Sequence, residues 1–235
     1  MTLTVIPVTG VPEVRAGDEL ATLIAAAAAA QGTPLADGDC LVVTQKVVSK
    51  AEDRLVALDA DDRAARRALV DAESVRVLRR RGDLVISETR HGFVCANAGV
   101  DLSNVEAGWA ALLPLDADRS ARHVRDALRA RAGVDVAVVV SDTFGRAWRN
   151  GLTDVAIGVA GLAAVVDLRG QPDGNGRELQ VTEVAIADEV AGAAELVMGK
   201  ASRVPAAIVR GLDPAWRRDA SARELVRAAR DDLFW

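Results

Sequence analysis

Residues 3–8 (LTVIPV) alternate in polarity, which predicts a strand, and the loop GVPEVRAGD after it carries turn chemistry at Gly10, Pro12 and Gly17–Asp18. Asp18 is placed to cap the alanine-rich helix that follows, with Glu19 favourable in its first turn. "LADGDCLVVTQKVVSKAEDRLV" reads as a turn, a strand over Cys40–Thr44, and a segment whose valines precede Ser49 and Lys50. Residues 59–81 hold apolar positions at helical spacing among many charges, the pattern of a solvated amphipathic helix. A strand near Leu84–Glu88 precedes the polar, glycine-bearing stretch "TRHGFVCANAGVDLSNV". A helix around Ser120–Arg131 then leads to a strand at Asp135–Val140.

"NGLTDVAIGVAGLAAVVDLRG" is rich in small residues and fits either a strand or a closely packed helix; periodicity does not choose between them. "QPDGNGREL" is a hairpin tip by its turn residues. "VTEVAIADEVAGAAELVMG" predicts a helix with Thr182 as cap and Gly199 as stop, "VPAAIVRG" a strand, and Asp231–Trp235 the end of a charged closing helix. Strands and helices alternate only loosely. A mixed α/β or α+β architecture fits this order better than a doubly wound sheet.

Composition narrows the class. A chain of 235 residues, half of them hydrophobic, has ample material for a core. The formal charge of −5 provides no basic field for a nucleic-acid backbone, so a phosphate ligand would need locally concentrated cations. Cys40 and Cys95 lie far apart, without metal-binding spacing, and fit buried apolar residues in a reducing cytoplasm. No segment has the length of a membrane span or the pattern of a secretion signal. A cytoplasmic protein without membrane or nucleic-acid partners is expected.

The candidate chemistry lies in oxygen ligands. There is no Walker loop and no GxGxxG, and His91 and His123 form no catalytic set with a serine. His123 reads as a surface residue on an amphipathic helix; His91, in a polar loop, reads either way. Asp101, Ser103 and Asn104 follow a glycine, and Asp142–Thr143 follow the valines of "VVVSDTFGRAWRNG". Carboxylates with hydroxyl and amide oxygens suit Mg²⁺ or Mn²⁺. The plainer reading makes "GVDLSN" an Asx turn capping a helix and Asp142 an N-cap. Arg146 and Arg149 would grip a polyanion beside a metal, or form ion pairs with Asp154 and Glu183. Lys46 and Lys50, four apart, would face one phosphate if their segment is helical; a solvated loop is the alternative.

Together the segments are more specific. "VTQKVVSKAEDRLV", "AGVDLSNV", "VVVSDTFGRAWRNGLTDVAIGVAG", "DGNGRELQVTEVAIADEVAGAAELVMGK" and "AAIVRG" occur in this order. The arrangement resembles the coenzyme F-420:γ-glutamyl ligase family over about Ile6 to Trp235. It is most similar to the ligase part of two-domain actinobacterial members, in which a flavin-binding, nitroreductase-like domain follows. One ligase domain over residues 1–235, without such a second domain, is expected.

The resemblance implies a two-lobed α+β fold, an intertwined homodimer, and GTP-dependent addition of L-glutamate to the deazaflavin coenzyme F-420 precursor. It implies GTP as co-substrate, two Mg²⁺ or Mn²⁺ ions per site and a monovalent cation such as K⁺. By motif, Asp101 and Asp142 would hold one metal, Thr143 the second, and Glu183 would be a further ligand. GTP would touch Val11, Pro12, Glu13 and Val14, then Gln45, Lys50 and Asn104, with residues 198–205 alongside. Asp142, Arg146 and Arg149 would form the reactive surface. Phosphoryl transfer to a carboxylate gives an acyl phosphate that an amine displaces, a reaction needing position and charge neutralisation rather than a protein nucleophile. Two alternatives stay open: a non-catalytic GTP-binding partner, and a ligase of the same mechanism acting on another carboxylate.

Overall fold

The computed structural model describes residues 2–232. In chain order the first elements are β1 (Thr4–Val8), α1 (Leu20–Ala30), β2 (Cys40–Thr44), α2 (Gln45–Ala51), β3 (Leu55–Ala57) and α3 (Arg63–Glu73). Next come β4 (Ser74–Arg81), β5 (Leu84–Thr89), β6 (Val94–Ala96), β7 (Trp109–Ala111), α4 (Ala117–Ala132) and β8 (Ala137–Arg146). The chain continues through β9 (Arg149–Ala160), β10 (Val166–Asp167), β11 (Glu183–Val184), α5 (Ile186–Met198) and β12 (Ala206–Arg210). Short 3₁₀ turns follow. This is a mixed α and β architecture, as its element pattern predicts.

A five-stranded sheet in the order β1-β12-β2-β8-β9 organises the molecule, with β2 and β8 its parallel pair. Its central strands are valine runs because both faces are covered. Side-chain alternation sorts Leu41, Val43, Val138, Val140 and Ile208 into a core with α1 and α4, while Cys40, Val42, Val139 and Val209 pack with α5 on the other side. α4 lies flush on β9 because Gly158 has no side chain: a Cβ there would sit 2.2 Å from the Ala117 carbonyl oxygen. Asp118, in the first turn of α4, accepts from the Val159 and Ala222 N–H groups and locks that contact.

Several boundaries differ from the sequence reading, each for a local reason. Glu19, not Asp18, caps α1, accepting from the Ala21 N–H; Asp18 instead closes the preceding turn onto the Arg15 N–H. The helix expected across 59–81 stops at Glu73. Ser74 ends it by bonding the Val70 carbonyl, and "SVRVLRRR" then pairs antiparallel with β5. Thr182 does not cap α5, because Glu183–Val184 form β11 and hold Thr182 ahead of the helix. The ambiguous stretch after Asn150 is the strand β9. At the chain end Ala222–Leu225 and Ala229–Asp231 form 3₁₀ turns; the rest of the expected closing helix lies outside the described residues.

Candidate functional site

The valine strand does not end before Ser141. β8 continues to Arg146 because β9 pairs with it along its whole length, which excludes the N-cap reading of Asp142. Alternation puts Ser141 and Thr143 on one face, where the Ser141 hydroxyl donates to Asp154 Oδ2 (2.9 Å) and the Thr143 hydroxyl to Asp154 Oδ1 (2.5 Å). Asp142 points the other way and accepts from the Thr143 N–H at 2.8 Å. A bulge between Val140 and Ser141 shifts the register at this point, as bulges beside functional sites commonly do.

Asp101 reaches the same place from another element. It is bridged to Ala111 at the end of β7 by two backbone hydrogen bonds of 2.8 and 2.9 Å. Its carboxylate accepts from the Ser103 N–H at 2.7 Å, so the Asx turn is real, but no helix follows it. Lys46, on α2, spans to Asp101 Oδ2 at 2.5 Å and the Ser103 hydroxyl at 2.7 Å. Lys200 donates to the Thr143 hydroxyl, and Asn104 donates to the Lys200 carbonyl at 3.4 Å. Four segments distant in sequence thus converge: α2, the Asp101 loop, β8 and the turn after α5.

The electrostatics are those of crowded acids held by lysines. Burial pushes the Asp142 carboxyl up from 3.8 to about 7; the Thr143 N–H and Lys200 oppose this, and the charges of Asp101 and Asp154 add to it. For Asp101 burial acts upward too, yet hydrogen bonds from Lys46 and Ser103 hold it below its ordinary value. Glu195 on α5 is raised, first by burial and then by Asp154. Burial, with Asp142 adding to it, pushes the Cys95 thiol up to about 12, so no thiolate nucleophile operates here at neutral pH. His91 is occupied: its Nε2–H faces the Pro114 and Leu115 carbonyls at 2.9 and 3.1 Å. His123 is exposed on α4.

The other sequence candidates fall into two groups. The Val11–Val14 loop touches the site region through Glu13, which pairs with Lys50; Pro12 is exposed beside it and Val14 is core. Lys46 and Lys50 do lie one turn apart on a helix. Gln45 is buried, its amide nitrogen spent on the Ser49 hydroxyl and the Leu112 carbonyl. Arg146 and Arg149 stand exposed at the β8–β9 tip, Arg146 donating to the Asn150 carbonyl. Neither makes an ion pair with Asp154 or Glu183 among the described residues. Glu183 sits on the β10–β11 ribbon and pairs with Arg169 at 3.3 Å. Asp154 was missed as a site residue, since only strand register brings it opposite Thr143; Lys200 falls in the 198–205 stretch expected beside the nucleotide.

Oxygen donors of this kind suit a hard divalent cation. Among the described residues no three Asp, Glu, His or Cys side chains form a metal-holding group by themselves. The donors here are instead two carboxylates, near enough for the Asp101 charge to act on Asp142, with the Thr143 hydroxyl one residue further along β8, and Mg²⁺ completes so small a set with water and phosphate oxygens. Burial first, and then the charges of Asp101 and Asp154, raise the Asp142 carboxyl, and a cation there would oppose both. The residues therefore fit a divalent cation.

A cluster of carboxylates, hydroxyl and lysines, with no thiolate beside it, is of the kind that can hold phosphate groups by charge and position. The family model described as F420-0:Gamma-glutamyl ligase matches residues 10–211. The coenzyme F420:L-glutamate ligase of Methanothermobacter thermautotrophicus is 44% identical over 252 residues, covering 100% of this chain and 99% of that protein. The ligase of the same name from Methanopyrus kandleri is 44% identical over 253 residues, covering 99% and 98%. That of Methanocaldococcus jannaschii is 37% identical over 216 residues, covering 86% of each. The chain belongs to the F420-0:Gamma-glutamyl ligase family. No helix among the described residues is long and apolar enough to cross a membrane.

Proposed function

We propose that this protein is a GTP-dependent ligase that joins L-glutamate through an amide bond to a coenzyme F-420 precursor. The observation that carries this is the convergence of Asp101, Asp142 and Thr143 with Lys46 and Lys200, in a chain of this family. Lys46 and Lys200 supply positive charge in a cluster otherwise negative, and Lys50 stands one helical turn from Lys46 to meet further phosphate oxygens. Asp154 fixes the Thr143 hydroxyl through its 2.5 Å bond, and with Lys200 donating to the same oxygen one lone pair is left for a ligand. Two divalent cations, held by Asp101, Asp142 and Thr143, would neutralise charge on the phosphoryl group in transfer. The acceptor carboxylate becomes an acyl phosphate, and the glutamate amine displaces phosphate. Rigid mounting on β8 and β7 makes the positions reproducible, which this chemistry needs most.

The reading also includes a monovalent cation such as K⁺ and a homodimer. For the dimer the support is apolar surface: Val75, Leu84 and Val94 on the β4–β5–β6 sheet are 68, 45 and 42% exposed. Incubating the protein with GTP, Mn²⁺, L-glutamate and the precursor, and following phosphate release and product mass, tests the activity. Tight GTP binding without turnover would replace it with the non-catalytic partner. Turnover confined to another acid would change the acceptor only.

A further inference from the structure

On the face of the five-stranded sheet that α5 covers, β8 and β9 place Val139, Ser141 and Thr143 beside Ala156 and Asp154. Val139 and Ala156 are core residues there, as a covered sheet face requires. Asp154 is nonetheless only 3% exposed. α5 lies directly over its strand: a Cβ on Gly192 would come within 3.8 Å of the Asp154 carbonyl oxygen. No lysine or arginine makes an ion pair with Asp154 among the described residues. A buried carboxylate without a counter-charge lowers stability unless hydrogen bonds compensate, so a use must be sought in the bonds it makes.

Each of its oxygens takes one hydroxyl. Ser141 donates to Oδ2 at 2.9 Å and Thr143 to Oδ1 at 2.5 Å. Ser141 is completely buried, and Asp154 accepts its proton. Thr143 is half-buried, and Lys200 donates to its oxygen. A hydroxyl has one proton and two lone pairs. With the proton on Asp154 and one lone pair on Lys200, Thr143 keeps a single lone pair and acts as an acceptor only. Such an oxygen takes a cation; it has no proton to donate to a phosphate oxygen.

The acid is what fixes this polarity. An asparagine at 154 has one acceptor oxygen and an N–H₂ donor in place of two acceptors. Ser141 has the stronger claim on that oxygen, because an orphaned buried donor is costly whereas the half-buried Thr143 can turn its proton to water. Thr143 would then face the amide N–H₂ as well as Lys200, with both lone pairs taken and its own proton released. That arrangement repels a cation. Groups standing behind a metal ligand orient it and raise its basicity in this way.

We propose that Asp154 is a positioning residue: by holding the Thr143 proton it makes that hydroxyl a cation ligand and sets how tightly a divalent cation binds there. The cation rests on the ligase reading; the measurement needs no turnover. The experiment is calorimetric titration of the whole protein with Mn²⁺ alone. Saturable binding is expected, weakened about tenfold or more in Thr143→Val and in Asp154→Asn, the usual cost of losing a metal ligand's support. Ser141→Ala removes the other partner of Asp154 and should leave affinity within about twofold, as a change outside the ligand set does. Adding Asp154→Asn to Thr143→Val should cost less than about twofold more, because the hydroxyl it acts through is already gone. A carboxylate acting by charge alone would weaken binding in both backgrounds. Should Asp154→Asn not fold, Ser141→Ala/Asp154→Ala removes both ends of the buried bond and should show the same loss. Absence of saturable binding, wild-type affinity in the Asp154 variants, an equal loss in Ser141→Ala, or a full further loss in the Thr143→Val background overturns the proposal. Unchanged affinity in Thr143→Val removes Thr143 as a ligand and this proposal with it. Ligation is assayed separately: its absence beside the expected Mn²⁺ losses removes the ligase reading and leaves the role of Asp154 standing.

Discussion

The five-stranded sheet and the small β4–β5–β6 sheet use the same residues to opposite ends. Val42, Val43, Val139 and Val140 are completely buried, enclosed by α1 and α4 on one side and α5 on the other. Val75 and Val77 are 68 and 37% exposed, and α3 contributes only Val70 to a core that includes Val85 and Ala98. Valine forms strand in both places. Whether it stabilises depends on what covers it, since the hydrophobic gain scales with area removed from water. Asp142, Thr143 and Asp154 all stand on the rigid sheet. Such a mount suits groups whose positions must stay fixed.

The largest effect tests the rigid half. Asp142→Ala should lower ligation by several kcal/mol of barrier, a loss of about a thousandfold or more, without lowering the melting temperature. Near-wild-type turnover at saturating Mn²⁺ would sink its assignment as a metal ligand. Val139→Ala should cost about 2 kcal/mol or more through the cavity it opens, read from the midpoint of denaturant unfolding.

Lys50→Met should weaken GTP affinity by roughly 1.5–3 kcal/mol in calorimetry with Mg²⁺ present. Its ion pair with the largely exposed Glu13 adds little to folding, so the apo melting temperature should hardly move. A large fall in that temperature would show a structural lysine instead.

A fourth test uses pH. The folded Asp142 carboxyl titrates near 7 against 3.8 for an ordinary aspartate, so between those values the folded state binds the more proton. Metal-free protein should therefore lose stability as pH rises through that window. Asp142→Asn should abolish this loss and stabilise the protein at pH 8 by on the order of 1–3 kcal/mol. An identical pH profile for the two proteins would show that Asp142 is not so crowded. The smallest effect belongs to the other sheet: Val75→Ala should change monomer stability by less than about 0.5 kcal/mol. A clear loss at high protein concentration that shrinks on dilution would show the partner copy of the proposed dimer covering that face.

Much was legible because local rules agree with global ones at those places. β2 over Cys40–Thr44, α4 and β12 follow from hydrophobic runs, turn residues and spacing alone. So do two buried, inert cysteines and a mixed architecture. The "SDT" segment, the Asp101 loop and the α2 lysines stood out because polar groups next to a core strand need a reason. Residues 74–81 did not: "SVRVLRRR" satisfies helical spacing and alternation at once, and only pairing with β5 chooses.

By itself the sequence determined the secondary elements with strong periodicity, the two-faced valine strands and the residue types available for chemistry, since these rest on interactions within a few positions of one another. Tertiary structure alone decided that β8 runs on through Asp142, that Asp154 stands opposite Thr143, and that Lys46 and Lys200 close on acids 55 and 57 residues away or on their neighbours. Register and long-range charge pairing depend on how distant strands meet, and no local pattern encodes the distance between groups the fold has yet to bring together.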